Sequence, residues 1–528
     1  MLTNAPDYSV YLVTGRDLLP SGADYYQVIE QAIKGGATIV QVREKKCQTW
    51  DFLEIASRTK EICHKHNVPV LINDRVDIAL AIEADGVHLG QEDMPISIAR
   101  KLLPKGSIIG VSCNSVEDAR NAVKDGAGYV GIGPVWFTQT KSDLKPTLGP
   151  RGAGEILETL SGTQIKAVAI GGIKSSNVLR LLHGAVSTSD RPLDGVAVVG
   201  DIMAAQDPFA ATLRLSECYK AFTKSPPPQF SLGSNASDLS QNIVSHAATL
   251  LKTIREVGPL VHQITNNVVM NQSANATLAL GASPIMATAV QEMEDLSKVS
   301  GALLINFGTI GDKLGMLEAG KCANATRKPI VFDPVAIGAT QHRRSAANEL
   351  LSAWQASVIK GNPAEIGALA NSAEVKTLGV DSLGSGFADP ANLVRRLAKK
   401  ERCIIAMTGK KDWVSDGKVA ICINNGHELL SKITGSGCMV GTSVATFCAG
   451  ASAVATSAST YDDERVLVRG DMLAGAIGGI LAITVASELA ASRQDVKGTG
   501  TFLPALIDEL YNLTPEKLVD RAQIEIFG

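Results

Sequence analysis

Thr223-Lys224-Ser225-Pro226-Pro227-Pro228-Gln229-Phe230-Ser231-Leu232-Gly233-Ser234-Asn235-Ala236-Ser237-Asp238-Leu239-Ser240 is the stretch that organises the rest of the chain. Three consecutive prolines disfavour a helix, and the Ser/Gly/Asn run after them has the composition of a flexible linker. Reading 223–240 as a linker divides the 528 residues into domains at 1–222 and 241–528. Each exceeds the common domain size of roughly 100–150 residues, but α/β barrels run to about 250 as one domain.

Composition narrows the function classes. Hydrophobic residues make up 45% and charged residues 20%, enough to bury a large core and too apolar for a disordered chain. Residues 1–225 carry 24 basic and 25 acidic side chains, and the remainder 26 and 28, so the net charge of −3 hides no basic half. With aromatics at 4%, neither half offers a nucleic-acid surface, and any phosphate recognition must be local. Nine cysteines without a CxxC pair argue against a disulfide framework or a structural zinc site. They fit a reducing compartment, and the N-terminus lacks the pattern of a secretory signal, so a cytoplasmic protein is expected. Residues 257–291, 433–461 and 472–487 contain no Asp, Glu, Lys or Arg. The first two are broken by Gly, Ser and Asn and the third is too short to span a bilayer, so buried, closely packed helices rather than membrane spans are expected.

Upstream of the linker, short apolar runs at 8–14, 39–44, 70–74, 86–89, 108–113, 129–134, 166–171 and 195–200 alternate with amphipathic stretches. One of these, 115–125, opens on Ser115 with Glu117 and Asp118 in its first turn, a helix start with favourable dipole charges. Eight such units predict a (β/α)8 barrel, although a doubly wound sheet shares the alternation. Barrel chemistry sits at the C-terminal ends of the strands. There the sequence places Gln41, Arg43 and Lys45 on one face of an extended segment, where a bidentate guanidinium and an ammonium suit a polyphosphate. Asn73-Asp74 and His88-Leu89-Gly90-Gln91-Glu92-Asp93 bring carboxylates to adjacent strand ends, as Mg2+ requires when phosphates complete its shell. Ser112 ends the fifth strand, Thr138-Gln139-Thr140-Lys141 follows the sixth, and Gly171-Gly172 and Val199-Gly200 close the last two, where barrels grip phosphate with backbone amides. Taken singly, each of these is equally readable as a solvated charge or a helix cap.

Together these motifs resemble thiamine-phosphate synthase over almost the whole first part. The resemblance implies a Mg2+-dependent coupling of hydroxymethylpyrimidine diphosphate with hydroxyethylthiazole phosphate. It implies that Asp74 and Asp93 ligate Mg2+. Gln41, Arg43, Glu44, Lys45, Asn73, Ser112 and Lys141 would hold the pyrimidine diphosphate, and Thr138, Thr140, Gly172, Val199 and Gly200 the thiazole phosphate.

Downstream, strands are predicted at 302–306, 329–333, 356–359, 403–407 and 419–423. The sharpest motif is Thr434-Gly435-Ser436-Gly437-Cys438-Met439-Val440-Gly441, leading into a small-residue helix. Glycines before a helix expose amides at its positive end and favour a developing anion. This resembles the anion hole of ribokinase-like kinases, with Cys438 where many relatives carry Asp. A helix N-terminus lowers a thiol pKa from about 8.5, so Cys438 reads as either a base or a positioning group for the alcohol; as a bland alternative it is a buried small hydrophobe. Lys360-Gly361-Asn362-Pro363-Ala364-Glu365, Asp333-Pro334-Val335-Ala336 and Met407-Thr408-Gly409-Lys410 each follow an apolar strand. With Val261-His262-Gln263-Ile264-Thr265-Asn266 and Gly281-Ala282-Ser283-Pro284-Ile285-Met286, the part resembles hydroxyethylthiazole kinase.

That resemblance implies a ribokinase-like α/β domain with Met286 and Gly435 contacting the thiazole, Lys360 and Thr408 the ATP, Asp333 and Glu365 near Mg2+, and Cys438 catalytic. It also implies a homo-oligomer built on a trimeric kinase core, with small-molecule partners only. Lys360 stands where an arginine is expected and lacks its bidentate geometry. The product of the second part would be a substrate of the first, as in the fused bifunctional enzymes of the fungal type. The alternatives are a phosphosugar-type barrel fused to a hydroxymethylpyrimidine kinase, or a non-catalytic ligand sensor.

Overall fold

The computed structural model describes residues 5–138, 146–224, 236–372, 376–378, 381–383, 387–458 and 466–528. The chain divides into two units, Met1–Pro227 and Pro228–Gly528. Helices Pro208–Lys224 and Ala236–Val257 occupy both ends of the 223–240 segment.

The first unit is a closed barrel of eight parallel strands in sequential order. They are β1 (Val10–Val13), β2 (Ile39–Val42), β3 (Val70–Asn73), β4 (Gly86–Leu89), β5 (Ile108–Cys113), β6 (Tyr129–Ile132), β7 (Lys166–Ile170) and β8 (Gly195–Val198). The closing pair is β1 against β8, with Tyr11 opposite Ala197. Strand alternation sorts each run into two cores. Val10, Leu12, Val40 and Ile72 face the helices, whereas Tyr11, Val13, Ile39, Leu71 and Tyr129 fill the barrel interior. Gly110 makes room for this filling, because a Cβ there would meet the Tyr129 ring at 2.0 Å. Ser115 caps helix Val116–Lys124 by accepting from the Asp118 amide, as its sequence position predicts.

The second unit holds a nine-stranded sheet. Its strands are β9 (Leu260–Ile264), β10 (Ser283–Ile285), β11 (Ala302–Asn306), β12 (Ile330–Asp333), β13 (Val358–Gly361), β16 (Ile404–Met407), β17 (Asp412–Ser415), β18 (Ala420–Ile423) and β19 (Ile524–Phe527); β14 (Lys376–Leu378) and β15 (Asp381–Leu383) pair separately. The order is β10-β9-β11-β12-β13-β16-β17-β18-β19. β10 to β16 run parallel, and β17 to β19 return antiparallel. Apolar cores cover both faces.

Two uncharged stretches become helices Ser436–Ala458 and Met472–Ser492. Both are long and apolar enough to cross a membrane, yet 78% and 89% of their apolar windows are buried inside the unit. They pack backbone to backbone: a Cβ on Gly479 would lie 2.4 Å from Val444 Cα, and one on Gly475 3.0 Å from Cys448 Sγ. They are core helices, as expected.

Candidate active sites

The strand ends of the barrel enclose a cavity of about 620 Å3. On one side it is lined by Gln41, Arg43, Lys45, Asn73, Asp74 and Asp93, and on the other by Thr138, Gly171, Gly172, Val199 and Gly200. Asp74 takes a left-handed φ of +61° and brings its carboxylate 2.5 Å from Lys45 Nζ. Asp93 accepts from the Gly90 amide at 2.6 Å. Burial and a hydrogen bond with Asp74 push its carboxyl up from the ordinary range. Two carboxyl groups so close attract a cation. Opposite them, Gly171 and Gly172 have φ of +104° and +66°, and a Cβ on Gly172 would lie 2.7 Å from Phe137 O. Only glycine fits that turn, which leaves the backbone bare toward the cavity.

A buried polar chain crosses the cavity floor. Gln41 Nε2 donates to Tyr11 Oη at 2.7 Å, and Tyr11 Oη meets Tyr129 Oη at 2.7 Å. Tyr129 Oη lies 2.8 Å from His88 Nδ1, and His88 Nε2 lies 3.0 Å from Ser112 Oγ.

In the second unit, β9, β11, β12 and β13 end side by side under the start of helix Ser436–Ala458. Asn266 Nδ2 donates to Asn306 Oδ1 at 2.9 Å. Asn306 Nδ2 in turn reaches Asp333 Oδ2 at 2.8 Å and Cys438 Sγ at 3.3 Å. Lys360 Nζ sits 3.3 Å from Asp333 Oδ1. Burial opposes the ammonium, but Asp333, Glu365 and Cys438 outweigh it and hold its pKa above the ordinary lysine value. Glu365 and Asn362 form a reciprocal capping box, and the second Glu365 oxygen accepts from the Ala336 amide at 2.8 Å. Burial and the neighbouring Asp333 push Glu365 up to about 7. Asp412 is likewise pushed up to about 7 by burial, while accepting from the Gly409 amide. Gly435 turns with φ of +82° into the helix start, close against Val269.

Known proteins match both units. The family described as thiamine monophosphate synthase matches residues 10–202, and the hydroxyethylthiazole kinase family matches residues 251–516. The probable thiamine biosynthetic bifunctional enzyme of Schizosaccharomyces pombe is 38% identical, over 98% of this chain and 98% of its own. This chain belongs to the family of fused thiamine biosynthetic bifunctional enzymes. The thiamine biosynthetic bifunctional enzyme of Saccharomyces cerevisiae is 37% identical, over 97% of this chain and 96% of its own. The thiamine-phosphate synthase of Clostridium novyi is 47% identical over 40% of this chain and 98% of its own. The first unit is therefore the synthase unit and the second the kinase unit, with ATP and other small molecules as substrates.

Most residues singled out in the synthase sequence line its cavity. Glu44 does not: it lies past the end of β2, its side chain is only 9% exposed, and its carboxylate holds Arg16 at 2.9 Å and 3.0 Å. Thr140 and Lys141 lie outside the described residues. In the kinase unit, Lys360 is a buried partner of Asp333. The Cys438 thiol is not lowered by its helix start: burial pushes it up, followed by repulsion from Asp333. Thr408 follows β16, its amide donating to Gly361 O at 2.9 Å, and Met286 follows the edge strand β10 half-buried. Sequence reasoning missed Tyr11, Tyr129 and Asn306, which sit inside apolar strands and read there as packing.

Proposed function

We propose that the synthase unit joins hydroxymethylpyrimidine diphosphate to hydroxyethylthiazole phosphate, and that the kinase unit makes the thiazole phosphate from the alcohol and ATP. The observation that carries this is the division of one cavity into a side of cations and carboxylates and a side of glycine backbone. Gln41, Arg43, Lys45, Asn73, Ser112 and Lys141 hold the diphosphate substrate. Thr138, Thr140, Gly172, Val199 and Gly200 hold the thiazole phosphate. Among the described residues no three His, Cys, Asp or Glu side chains converge on a metal site. The paired Asp74 and Asp93 nevertheless fit Mg2+, which needs only one or two carboxylates when substrate phosphates supply the rest. When bound it neutralises charge on the leaving diphosphate. Arg43 and Lys45 stabilise the same charge as the C–O bond breaks and the thiazole nitrogen bonds the pyrimidine methylene carbon. The amino group of the pyrimidine feeds the transient cation, so no protein nucleophile is required.

In the kinase unit the amides from Gly435 to Cys438 face the charge that develops on the transferred phosphoryl group. Lys360 lies beneath this turn: a Cβ on Gly437 would be 3.3 Å from its Nζ. Asp333 and Glu365 serve Mg2+, Thr408 the ATP, and Met286 and Gly435 the thiazole. Burial favours a neutral Cys438, so we assign it to positioning the alcohol; a loose phosphoryl-transfer transition state asks little prior activation of the hydroxyl. A trimeric kinase core fits exposed apolar side chains such as Val268 and Leu278, and a cytoplasmic location fits the nine free cysteines. Residues 223–240 separate domains 1–222 and 241–528 in this reading.

The test is thiamine phosphate formation from hydroxyethylthiazole, ATP, Mg2+ and hydroxymethylpyrimidine diphosphate, omitting each in turn. Every omission must abolish product, and supplying thiazole phosphate must bypass ATP. Product without Mg2+, or no product from the full set, overturns the reading. Sedimentation of the intact chain tests the trimer.

A further inference from the structure

The chain Gln41–Tyr11–Tyr129–His88–Ser112 crosses the cavity floor without a break, and its two ends line the cavity. Its two tyrosines are fully buried. Each hydroxyl has one hydrogen to give, and a buried hydrogen left unpaired is penalised. The polarity at one end therefore propagates to the other. Gln41 Nε2 donates to Tyr11, so Tyr11 donates to Tyr129, and Tyr129 to His88 Nδ1. His88 is then a neutral imidazole carrying its proton on Nε2, which donates to Ser112 Oγ. The Ser112 hydrogen is left for the cavity. At the other end, among the described residues no donor is bonded to Gln41 Oε1.

We propose that this one-way relay is a specificity device that couples recognition of the two ends of the pyrimidine diphosphate. The inference rests on the reading that the barrel takes an aminopyrimidine diphosphate. Diphosphate oxygens only accept hydrogen bonds, so Ser112 must donate to them. That requirement runs back through His88, Tyr129 and Tyr11 and holds the Gln41 amide with its oxygen toward the pyrimidine. An amino group on the ring satisfies that oxygen; an oxo group in its place meets it acceptor to acceptor. Tyr11 and Tyr129 are positioning residues here: they set which face Gln41 presents. Reversing the relay would turn Gln41 Nε2 outward and Ser112 into an acceptor facing phosphate.

The experiment compares binding of the aminopyrimidinylmethyl diphosphate and its oxo counterpart to the full chain with Mg2+, by titration calorimetry. The unsubstituted chain should prefer the amino form by roughly tenfold or more, because a site built around a hydrogen bond rejects the analogue that cannot make it. Tyr11→Phe and Tyr129→Phe each remove one oxygen and keep the ring. Both should shrink the preference to about twofold while thiazole phosphate affinity stays unchanged. A second measurement uses the unsubstituted chain with 15N-labelled histidine and bound diphosphate substrate, and should show His88 protonated on Nε2. An undiminished preference in a folded variant, or a proton on Nδ1, overturns the relay. If the unsubstituted chain makes no thiamine phosphate, the reading of the barrel fails instead.

Discussion

Lys360 and Asp333 form a buried ion pair at 3.3 Å, with side-chain exposures of 4% and 0%. Removing one partner strands the other charge in the core. Lys360→Ala should cost about 3–5 kcal/mol in the kinase unit. Denaturant unfolding should show it, and kinase activity should fall at the same time. Lys360→Arg keeps the charge and should recover most of the stability. An alanine variant as stable as the parent would mean that the pair is not an essential part of the core.

Gly435 holds a left-handed φ of +82°, and a Cβ there would lie 2.5 Å from Val269 Cγ1. Gly435→Ala should therefore displace the turn that starts the Cys438 helix, at a strain cost of about 1–3 kcal/mol. Kinase activity should be lost while synthase activity in the same chain persists. Their ratio, measured in one preparation, is the check.

Asp93→Ala removes one of the two adjoining carboxylates on the cation side of the barrel cavity. Synthase turnover should fall by about 100-fold or more, the scale on which charge-stabilising groups act, with the kinase rate unchanged. Raising Mg2+ should recover part of the loss if the residue holds the metal.

Glu44→Ala gives the opposite expectation. Its bidentate contact joins an Arg16 that is 44% exposed to a Glu44 side chain only 9% exposed, so its loss should cost the barrel about 1–3 kcal/mol of stability without touching the substrate site. Synthase kcat/KM should stay within about threefold of the parent, a difference below 1 kcal/mol. A large loss would return Glu44 to the substrate site.

His246 lies 3.4 Å from Asp471, the N-cap of helix Met472–Ser492. The hydrogen bond with Asp471 raises the imidazole above its ordinary 6.5, against the pull of burial. A raised folded pKa stabilises the protonated form, so the contribution is complete below about pH 6.5 and fades as pH climbs through the folded value. The Tm difference between the parent and His246→Ala should be largest near pH 6 and vanish near pH 9. A difference that does not change with pH would show that only packing is lost.

Legibility followed burial. Barrel strands such as Val10–Val13 are buried on both faces and read as unbroken apolar runs. In the kinase unit, β17 starts at the buried Asp412 and β19 is a half-exposed Ile-Glu-Ile-Phe edge, so neither was among the expected strands. The residues singled out at strand ends line one cavity because a closed barrel gathers its strand ends there. Glu44 enters the expected site as part of a block of neighbouring residues, whereas in the fold its carboxylate is held by Arg16, a partner distant in sequence. Tyr11 and Asn306 were invisible for a related reason: a polar group within an apolar run shows its partners only when distant strands close around it.

Helices Ser436–Ala458 and Met472–Ser492 meet so closely that Val444 and Gly479 leave no room for a methyl group. The helix that presents Cys438 is therefore also the centre of the core. Turnover and cooperative melting in the kinase unit should be lost at one temperature, and few substitutions near Cys438 will leave the melting point untouched. The synthase residues hang on separate strand ends, and those outside the Gln41–Ser112 chain can be retuned one at a time. An engineer seeking new substrates would start with the barrel and leave the kinase helix alone.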